Sequence, residues 1–414
     1  MIQNIQSIYR RFPGKFWVLV ATVFIDMIGG TLLYPVFALY ITQKFHVGMT
    51  EAGVLLGMMS LFGLLGNTIG GALTDKFGRK KIILFGLIFS ALSALGLGFV
   101  NQYLILYPLI AVIGILGNVS GPAHNAMVAD MLPEEQRNEG FGIIRVVANL
   151  SWIIGPTIGG FIAAHSYLLL FILDAVFSLT TAVIVIRLIP ETRPEAKTDQ
   201  EESIWRTLAG YKVPLMDKLF VGFIVVSILM LLVYQQMYST LSVYLRDVHE
   251  IPTTQYGYLL SPSAILVVLT PFWVTGQTKK FPPMMMMAFG CAFYMVGFGM
   301  IGFIHAFRLF VASILIITIG EMIVVPVSQA LVARFAPEEM RGRYMAVSSV
   351  SWSIPSTVGP AAAGLILDNY NPNWVWYAGG IICAVAIGGY LLLHAKMKNI
   401  PQFADNPAEQ ALVD

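Results

Sequence analysis

Charged residues are scarce in this sequence of 414 residues: Asp, Glu, Lys and Arg together make up 12%, against 57% hydrophobic residues. A soluble globular domain carries about twice that share of charge, so the composition excludes this class. Apolar runs of about 20 residues, long enough to cross a hydrocarbon core, recur along the chain. We therefore predict an all-α integral membrane protein, and we expect no nucleic-acid partner.

Cysteine is nearly absent as well. Cys291 and Cys383 lie in apolar runs, and neither belongs to a CxxC or Cys/His pattern. No disulfide framework or metal site is predicted, so both thiols are interpreted as packing residues. The sequence also lacks a nucleophile motif and a phosphate-binding loop, so we expect neither enzymatic activity nor a cofactor.

Hydropathy predicts twelve transmembrane helices. The spans are 16–41, 50–73, 82–100, 103–128, 140–164, 167–189, 218–244, 256–276, 284–305, 308–332, 343–367 and 374–395. The longest polar interruption, 190–217, is predicted to be a cytoplasmic linker. It separates an N-terminal six-helix bundle at 1–189 from a C-terminal one at 218–395, and a cytoplasmic tail follows at 396–414.

The few cations are placed asymmetrically. If the N-terminus lies in the cytoplasm, 21 of the 25 Lys and Arg residues fall on that side and three on the other. Cytoplasmic loops of membrane proteins carry such an excess. We therefore expect a multi-pass protein of the cell (plasma or inner) membrane with both termini in the cytoplasm.

An internal repeat divides the chain into two halves. A shift of 204 residues aligns PAHNAMVADMLPEEQR (122–137) with PVSQALVARFAPEEMR (326–341), and it also carries IIGPTIGG onto TVGPAAAG. Parallel repeats of six helices predict two pseudo-symmetric bundles with a substrate path between them.

A charged motif joins the second and third spans. The stretch from Gly71 to Lys81 contains Asp75, Gly78 and Arg79, and it resembles the loop signature of the major facilitator superfamily, G-x-x-x-D-[RK]-x-G-R-[RK]-[RK]. Gly78 permits a tight turn, Gly71 is expected to permit close helix approach, and the Asp75 charge suits a cation or a helix N-terminus.

Two residues outside this loop are expected to join it. Asp130, at the end of the fourth span, is within reach of Arg79, and Arg137 offers a second cation. The resemblance implies that these residues form a cytoplasmic gate. In the alternative interpretation, the cations of the loop only fix the topology.

A second motif lies in the fifth span. It consists of Gly142, Ser151, Gly155, Pro156, Gly159 and Gly160. It resembles the antiporter signature of twelve-helix drug:proton exporters and departs from it only at Ser151. Gly155 and Gly159 share a helix face and permit close backbone approach. Alternatively, the motif is a tight helix contact with no bearing on the direction of transport.

The first span, FIDMIGGTLLYPVFALYI (24–41), also resembles that of drug and tetracycline exporters. The fourth span, however, lacks the arginine that many of them carry.

Four ionisable residues fall inside spans, where each is a functional candidate. Asp26 and Glu321 lie near the midplane, one in each half, and are expected to couple protons to transport. Arg145 is a candidate partner of Asp26. Asp174 is interpreted as structural, and His124 as a hydrogen-bonded packing residue.

A pocket for organic cations needs aromatic faces and a few polar groups. The candidate substrate-binding residues are Tyr34, Phe37, Asn118, Asn149, Trp152, Tyr234, Gln235, Tyr238, Gln329 and Trp352.

Taken together, these features predict a secondary transporter that uses the proton gradient to export lipophilic or cationic small molecules. The resemblance to the superfamily implies that it acts as a monomer. Two alternatives are an importer or facilitator of sugars, peptides or organic acids, and a lipid or glycolipid flippase. The identity of the substrate is not encoded in any motif.

Overall fold

The computed structural model describes residues 9–193, 212–269, 271–278, 280–337, 340–398, 400 and 403. The N-terminal half of these residues contains α1 (Gly14–Leu33), a 3-10 helix (Tyr34–Val36), α2 (Phe37–Phe45), α3 (Met49–Phe77), α4 (Arg79–Phe99), α5 (Tyr103–Gly117), α6 (Ser120–Met131), α7 (Glu134–Ala163) and α8 (Tyr167–Leu188). The second half contains α9 (Lys212–Met216), α10 (Lys218–Tyr234), α11 (Gln236–Ser239), α12 (Leu241–His249), α13 (Thr253–Leu269), α14 (Pro271–Thr278), α15 (Pro283–Ile301), α16 (Phe307–Phe335), α17 (Arg341–Ser348), α18 (Val350–Asn369) and α19 (Trp374–Met397). Strands are absent from these ranges, so the predicted all-α fold is confirmed.

Eleven segments of the described chain are long and apolar enough to cross a membrane. The twelfth predicted span, 256–276, coincides with α13 and α14. These helices are 17 and 8 residues long, so neither alone reaches the length of about 20 residues that crosses a membrane. Most of the predicted linker, 194–211, and of the tail lies outside the described residues.

The helix α8 shows why this fold requires a bilayer. Its exposed face is mostly apolar and includes Leu169, Ile172, Val176, Leu179 and Val183. Its buried face carries Asp174, Ser178 and Thr181, spaced at four and three residues. A helix with its polar side chains inside and its apolar side chains outside suits hydrocarbon and not water.

The described helices pack into two compact units. Unit 1 holds α1 to α8 except the segment Gly48–Gly53, which includes the start of α3. It also includes Ile251–Tyr258, at the start of α13. Unit 2 holds the other helices together with Gly48–Gly53. The predicted 204-residue offset carries Gly48 to Pro252 and Gly53 to Gly257, so each unit includes the equivalent short segment from the other half.

Paired glycines explain these two segments. In unit 2, a Cβ at Gly53 would lie 2.5 Å from the backbone of Pro360 and Ala361. In unit 1, a Cβ at the equivalent Gly257 would lie 3.1 Å from Phe161. The helices therefore approach with little side-chain volume between them at equivalent positions in both units.

Unit 2 also caps the first turn of α3. The Asp368 carboxylate, at the end of α18, accepts hydrogen bonds from the Met49 and Thr50 amides at 3.0 and 2.7 Å and from the Thr50 hydroxyl at 2.6 Å. A carboxylate at a helix N-terminus pairs with free amides and with the positive end of the helix dipole.

Candidate functional site

Two of the apolar segments are interrupted at polar or aromatic residues. The helix α1 gives way to a 3-10 turn at Tyr34–Val36. In unit 2, α10 ends at Tyr234, and two short helices, Gln236–Ser239 and Leu241–His249, continue the chain. Interrupted spans are where transporters place substrate and ion sites.

In unit 2 an acidic side chain lies among aromatic rings. Glu321 on α16 interacts electrostatically with Tyr234 and Tyr294. The Tyr234 ring centroid is 5.5 Å from that of Tyr294, 5.8 Å from that of Tyr238 and 6.0 Å from that of Trp352. Tyr294 is absent from the candidates that the sequence suggested. We call these five residues the Glu321 cluster.

A small cavity adjoins the Glu321 cluster. Its volume is about 50 Å³, and its walls include Tyr294, Trp352, Gln329, Ser227 and Ser328. This exceeds the roughly 10–15 Å³ that one water molecule needs. Five of the six residues predicted in unit 2 therefore lie close together. Glu321, Tyr234, Tyr238 and Trp352 belong to the cluster, and Gln329 lines the cavity. The sixth, Gln235, donates from its amide to the Ser356 hydroxyl.

In unit 1 the acidic side chains form a second group. The Ser178 hydroxyl donates to Asp26 Oδ1 at 3.0 Å and lies 3.4 Å from the Ser90 hydroxyl. His124 and Asp174 both interact electrostatically with Asp26. We call these five residues the Asp26 cluster. Asp174 and His124, interpreted from sequence as structural, therefore belong to the surroundings of Asp26.

The suggested pairing of Arg145 with Asp26 is not among the ion pairs and hydrogen bonds observed between described residues. The helix α7, which carries Arg145, packs against α1 at Phe24 and Thr31. The face of α1 that carries Phe24 and Thr31 lies roughly 150° around the helix axis from Asp26, because successive residues are about 100° apart. Asp26 faces α8 instead.

The other candidates in unit 1 are dispersed. Tyr34 and Trp152 meet edge to face, with ring centroids 5.1 Å apart. Phe37 is buried against Tyr40, Asn118 donates to the Gly114 carbonyl at 2.9 Å, and Asn149 is exposed on α7. No pattern in the sequence distinguishes these environments.

The glycines of the antiporter-like motif have different surroundings. A Cβ at Gly155 or Gly159 would overlap Thr31 or the Leu32 carbonyl of α1, so the predicted close approach is confirmed. A Cβ at Gly160 would lie 2.8 Å from Gly257, and one at Gly142 would meet no atom within 4 Å. Ser151 replaces the missing glycine and donates to the Val147 carbonyl at 3.0 Å.

The charged loop after α3 is held together by Arg79. Its Nε donates to Asp130 Oδ2 at 2.9 Å, and its Nη1 lies 3.5 Å from Asp75. The Thr192 hydroxyl donates to the same Asp130 oxygen at 3.2 Å. The predicted contact between Arg79 and Asp130 is confirmed.

Glu191, three residues beyond the end of α8, completes this loop. Its carboxylate accepts from the Arg79 and Thr192 amides at 2.9 Å and from those of Lys80 and Arg193. Partial burial alone would raise its pKa, but these amide hydrogen bonds together hold the pKa of Glu191 below its usual range.

Glycine is required at position 78 for two reasons. Its φ is +95°, and a Cβ there would lie 2.5 Å from the Glu191 carboxylate. The tight turn at Gly78 is therefore as predicted.

Two expectations about this region are wrong. Arg137 donates to the Ala129 and Leu132 carbonyls, so it stabilises the end of α6 and does not pair with Asp130. A Cβ at Gly71 would meet nothing within 4 Å, whereas one at Gly70 would overlap the Val119 backbone. Neighbouring residues differ by about 100° around a helix, so the close approach falls on Gly70.

We expect Glu191→Gln to lower the melting temperature at neutral pH and to flatten its dependence on acid. Because the pKa of Glu191 is depressed in the folded protein, its contribution is present above the unfolded value and is lost as pH falls through the folded one. Thermal melts of the purified protein from pH 7 down to about pH 3 test this. Glu135→Gln, at an exposed position on α7, is the matched control. Equal pH dependence in wild type and Glu191→Gln would contradict the assignment.

Long apolar helices with acidic side chains held inside two packed units define a multi-pass membrane protein. The Major Facilitator Superfamily model matches residues 19–354 and 278–413 of the sequence. The chain belongs to this family, and the resemblance noted in its charged loop is confirmed.

Relatives in this family are similar over most of their length. A Na(+), Li(+), K(+)/H(+) antiporter from Planococcus maritimus is 24% identical over 84% of this chain and 87% of its own. The multidrug resistance protein MdtH of Shigella flexneri is 21% identical over 89% and 91%.

Solved structures share the fold. The nucleoside transporter NupG has a TM-score of 0.77 at 13% identity and is covered completely by 92% of this chain. A peptide transporter POT in complex with sulfate has a TM-score of 0.75 at 17% identity, with coverage of 95% and 96%.

Proposed function

We propose that this chain is a proton-coupled antiporter that exports lipophilic organic cations from the cytoplasm by alternating access. The observation that carries the proposal is the Glu321 cluster, where one carboxylate lies among three tyrosines and a tryptophan beside a cavity. Aromatic faces and a carboxylate attract an organic cation, and the same carboxylate also binds a proton. Proton and cargo then compete for one site, which is the requirement for exchange.

Asp26 is proposed as a second coupling residue in unit 1. It is half-buried and hydrogen-bonded, and it lies in a span where an ionised side chain is costly unless it is paired or wetted. The antiporter-like motif and the similarity to MdtH support export over import. The gate role of Asp75, Gly78, Arg79 and Asp130 belongs to the same proposal, as do the plasma-membrane location and the cytoplasmic termini.

A second candidate function is exchange of alkali cations for protons. The similarity to the Planococcus maritimus antiporter favours it. The acidic and hydroxyl groups of the Asp26 cluster favour it too, because alkali cations prefer oxygen ligands.

Inverted membrane vesicles from cells that produce the protein test the main proposal. With the vesicle interior acidified, we expect accumulation of a lipophilic fluorescent cation such as ethidium, and we expect its release when an ionophore collapses the pH gradient. Vesicles without the protein are the control. Transport of a sugar or dipeptide with no competition from ethidium would instead favour the importer alternative.

A further inference from the structure

Asp174 is a buried carboxylate without a partner. Its side chain is only 6% exposed, and it has neither a hydrogen bond nor an ion pair within the described residues. A carboxylate removed from water costs several kcal/mol unless a proton, a cation or a hydrogen-bond donor compensates it. A group of this kind therefore needs a ligand.

The geometry directs this carboxylate toward Asp26. A Cβ at Gly29 would lie 2.6 Å from Asp174 Oδ1, so only a glycine at this position of α1 admits the carboxylate. Gly29 follows Asp26 by three residues and shares its helix face. Asp174 precedes Ser178 by four residues on α8, and Ser178 donates to Asp26. Both carboxylates therefore meet at the same contact between α1 and α8.

A hydroxyl extends the polar surface along α8. Thr181 Oγ1 is fully buried and has no hydrogen-bond partner in the described part of the chain. It follows Ser178 by three residues, on the same face as Asp174. The contact between the two helices thus offers two carboxylates and hydroxyl oxygens.

We propose that Asp174, Asp26 and the Ser178 hydroxyl form a site for a monovalent alkali cation within unit 1. Oxygen atoms from carboxylates and hydroxyls are the ligands that hard cations prefer. A single positive charge between the two carboxylates relieves their mutual repulsion. Divalent ions fit less well, because no group of three acidic, histidine or cysteine ligands converges among the described residues.

A histidine lies beside the site. His124 on α6 interacts electrostatically with Asp26, and its Nδ1 lies 3.1 Å from the Ser120 carbonyl. The charged groups of α4 lie at its first turn, where Arg79 pairs with Asp130.

Cation binding to this site is tested on the purified full-length protein in detergent, where no transport is required. The result therefore does not depend on whether the protein exports drugs. We expect NaCl, LiCl or KCl, compared with choline chloride at equal ionic strength, to raise the melting temperature at pH 8.5. The rise should be about 2 °C at ten times the dissociation constant.

Single substitutions test which residues bind the cation. Asp174→Asn should abolish the cation-specific shift, whereas Asp247→Asn, at an exposed acid paired with Arg246, should retain it. Ser178→Ala removes one ligand and should weaken apparent binding about tenfold, equivalent to about 1.4 kcal/mol, which keeps the proposal testable if Asp174→Asn does not fold. Equal melting temperatures in alkali and choline salts, or a cation shift that Asp174→Asn retains, would overturn it.

Discussion

Replacing Glu321 with Gln is expected to eliminate gradient-driven accumulation while leaving a folded protein. The amide has nearly the shape of the carboxyl group but binds no proton in exchange for cargo. A gradient of one pH unit stores about 1.4 kcal/mol per proton and supports about tenfold accumulation in one-for-one exchange. We therefore expect the accumulation ratio of ethidium in vesicles to fall from about ten to about one.

The controls for Glu321→Gln separate coupling from folding. Its melting temperature should stay within a few degrees of wild type, and downhill movement of the cation should persist. Asp247→Asn, in the exposed ion pair with Arg246, should transport as wild type does. Tyr234→Phe keeps the ring beside Glu321 but removes the hydroxyl, so it should shift the pH dependence of transport and preserve accumulation. Undiminished accumulation by Glu321→Gln would exclude Glu321 as the coupling residue.

Gly159→Ala is expected to have the largest effect on stability among single methyl additions in α7. The new Cβ would overlap the Leu32 carbonyl and lie 2.9 Å from its carbon, so the two backbones must separate. Overpacking of this kind costs about 1–3 kcal/mol, and more where backbone must move. Leu32 lies two residues before the interruption of α1 at Tyr34, so we also expect loss of transport.

Gly142→Ala is the matched control in the same helix and motif. No atom lies within 4 Å of its new methyl group, and alanine is preferred over glycine in a helix by about 0.5–1 kcal/mol. Its melting temperature should equal or slightly exceed that of wild type. Thermal melts and vesicle transport of the two variants provide the comparison. Similar losses in both would mean that the close approach between α7 and α1 is not what the motif maintains.

Sequence alone located the helices well because the bilayer imposes length and polarity on each of them. It also located the charged loop, since the contact between Arg79 and Asp130 depends on residues at the ends of neighbouring spans. The repeat offset of 204 residues predicted equivalences that reappear in the contacts of Gly53 and Gly257.

The missed features depend on rotation about helix axes and on distant partners. Gly70, not Gly71, makes the close approach, although the two glycines are adjacent in the sequence. Asp26 faces Ser178 and not Arg145, because α1 presents a different face to each neighbouring helix. Hydropathy averages over these faces and so carries little information about them.

Glu191 also has a consequence for biosynthesis. The Arg79 and Lys80 amides that it accepts from precede it by 112 and 111 residues, so α5 to α8 must all be synthesised before this acceptor exists. Until then, the start of α4 emerges from the ribosome and enters the membrane with those donors dependent on water. The turn at Gly78 is thus finished late, when the residues that follow α8 have been synthesised and have folded against it.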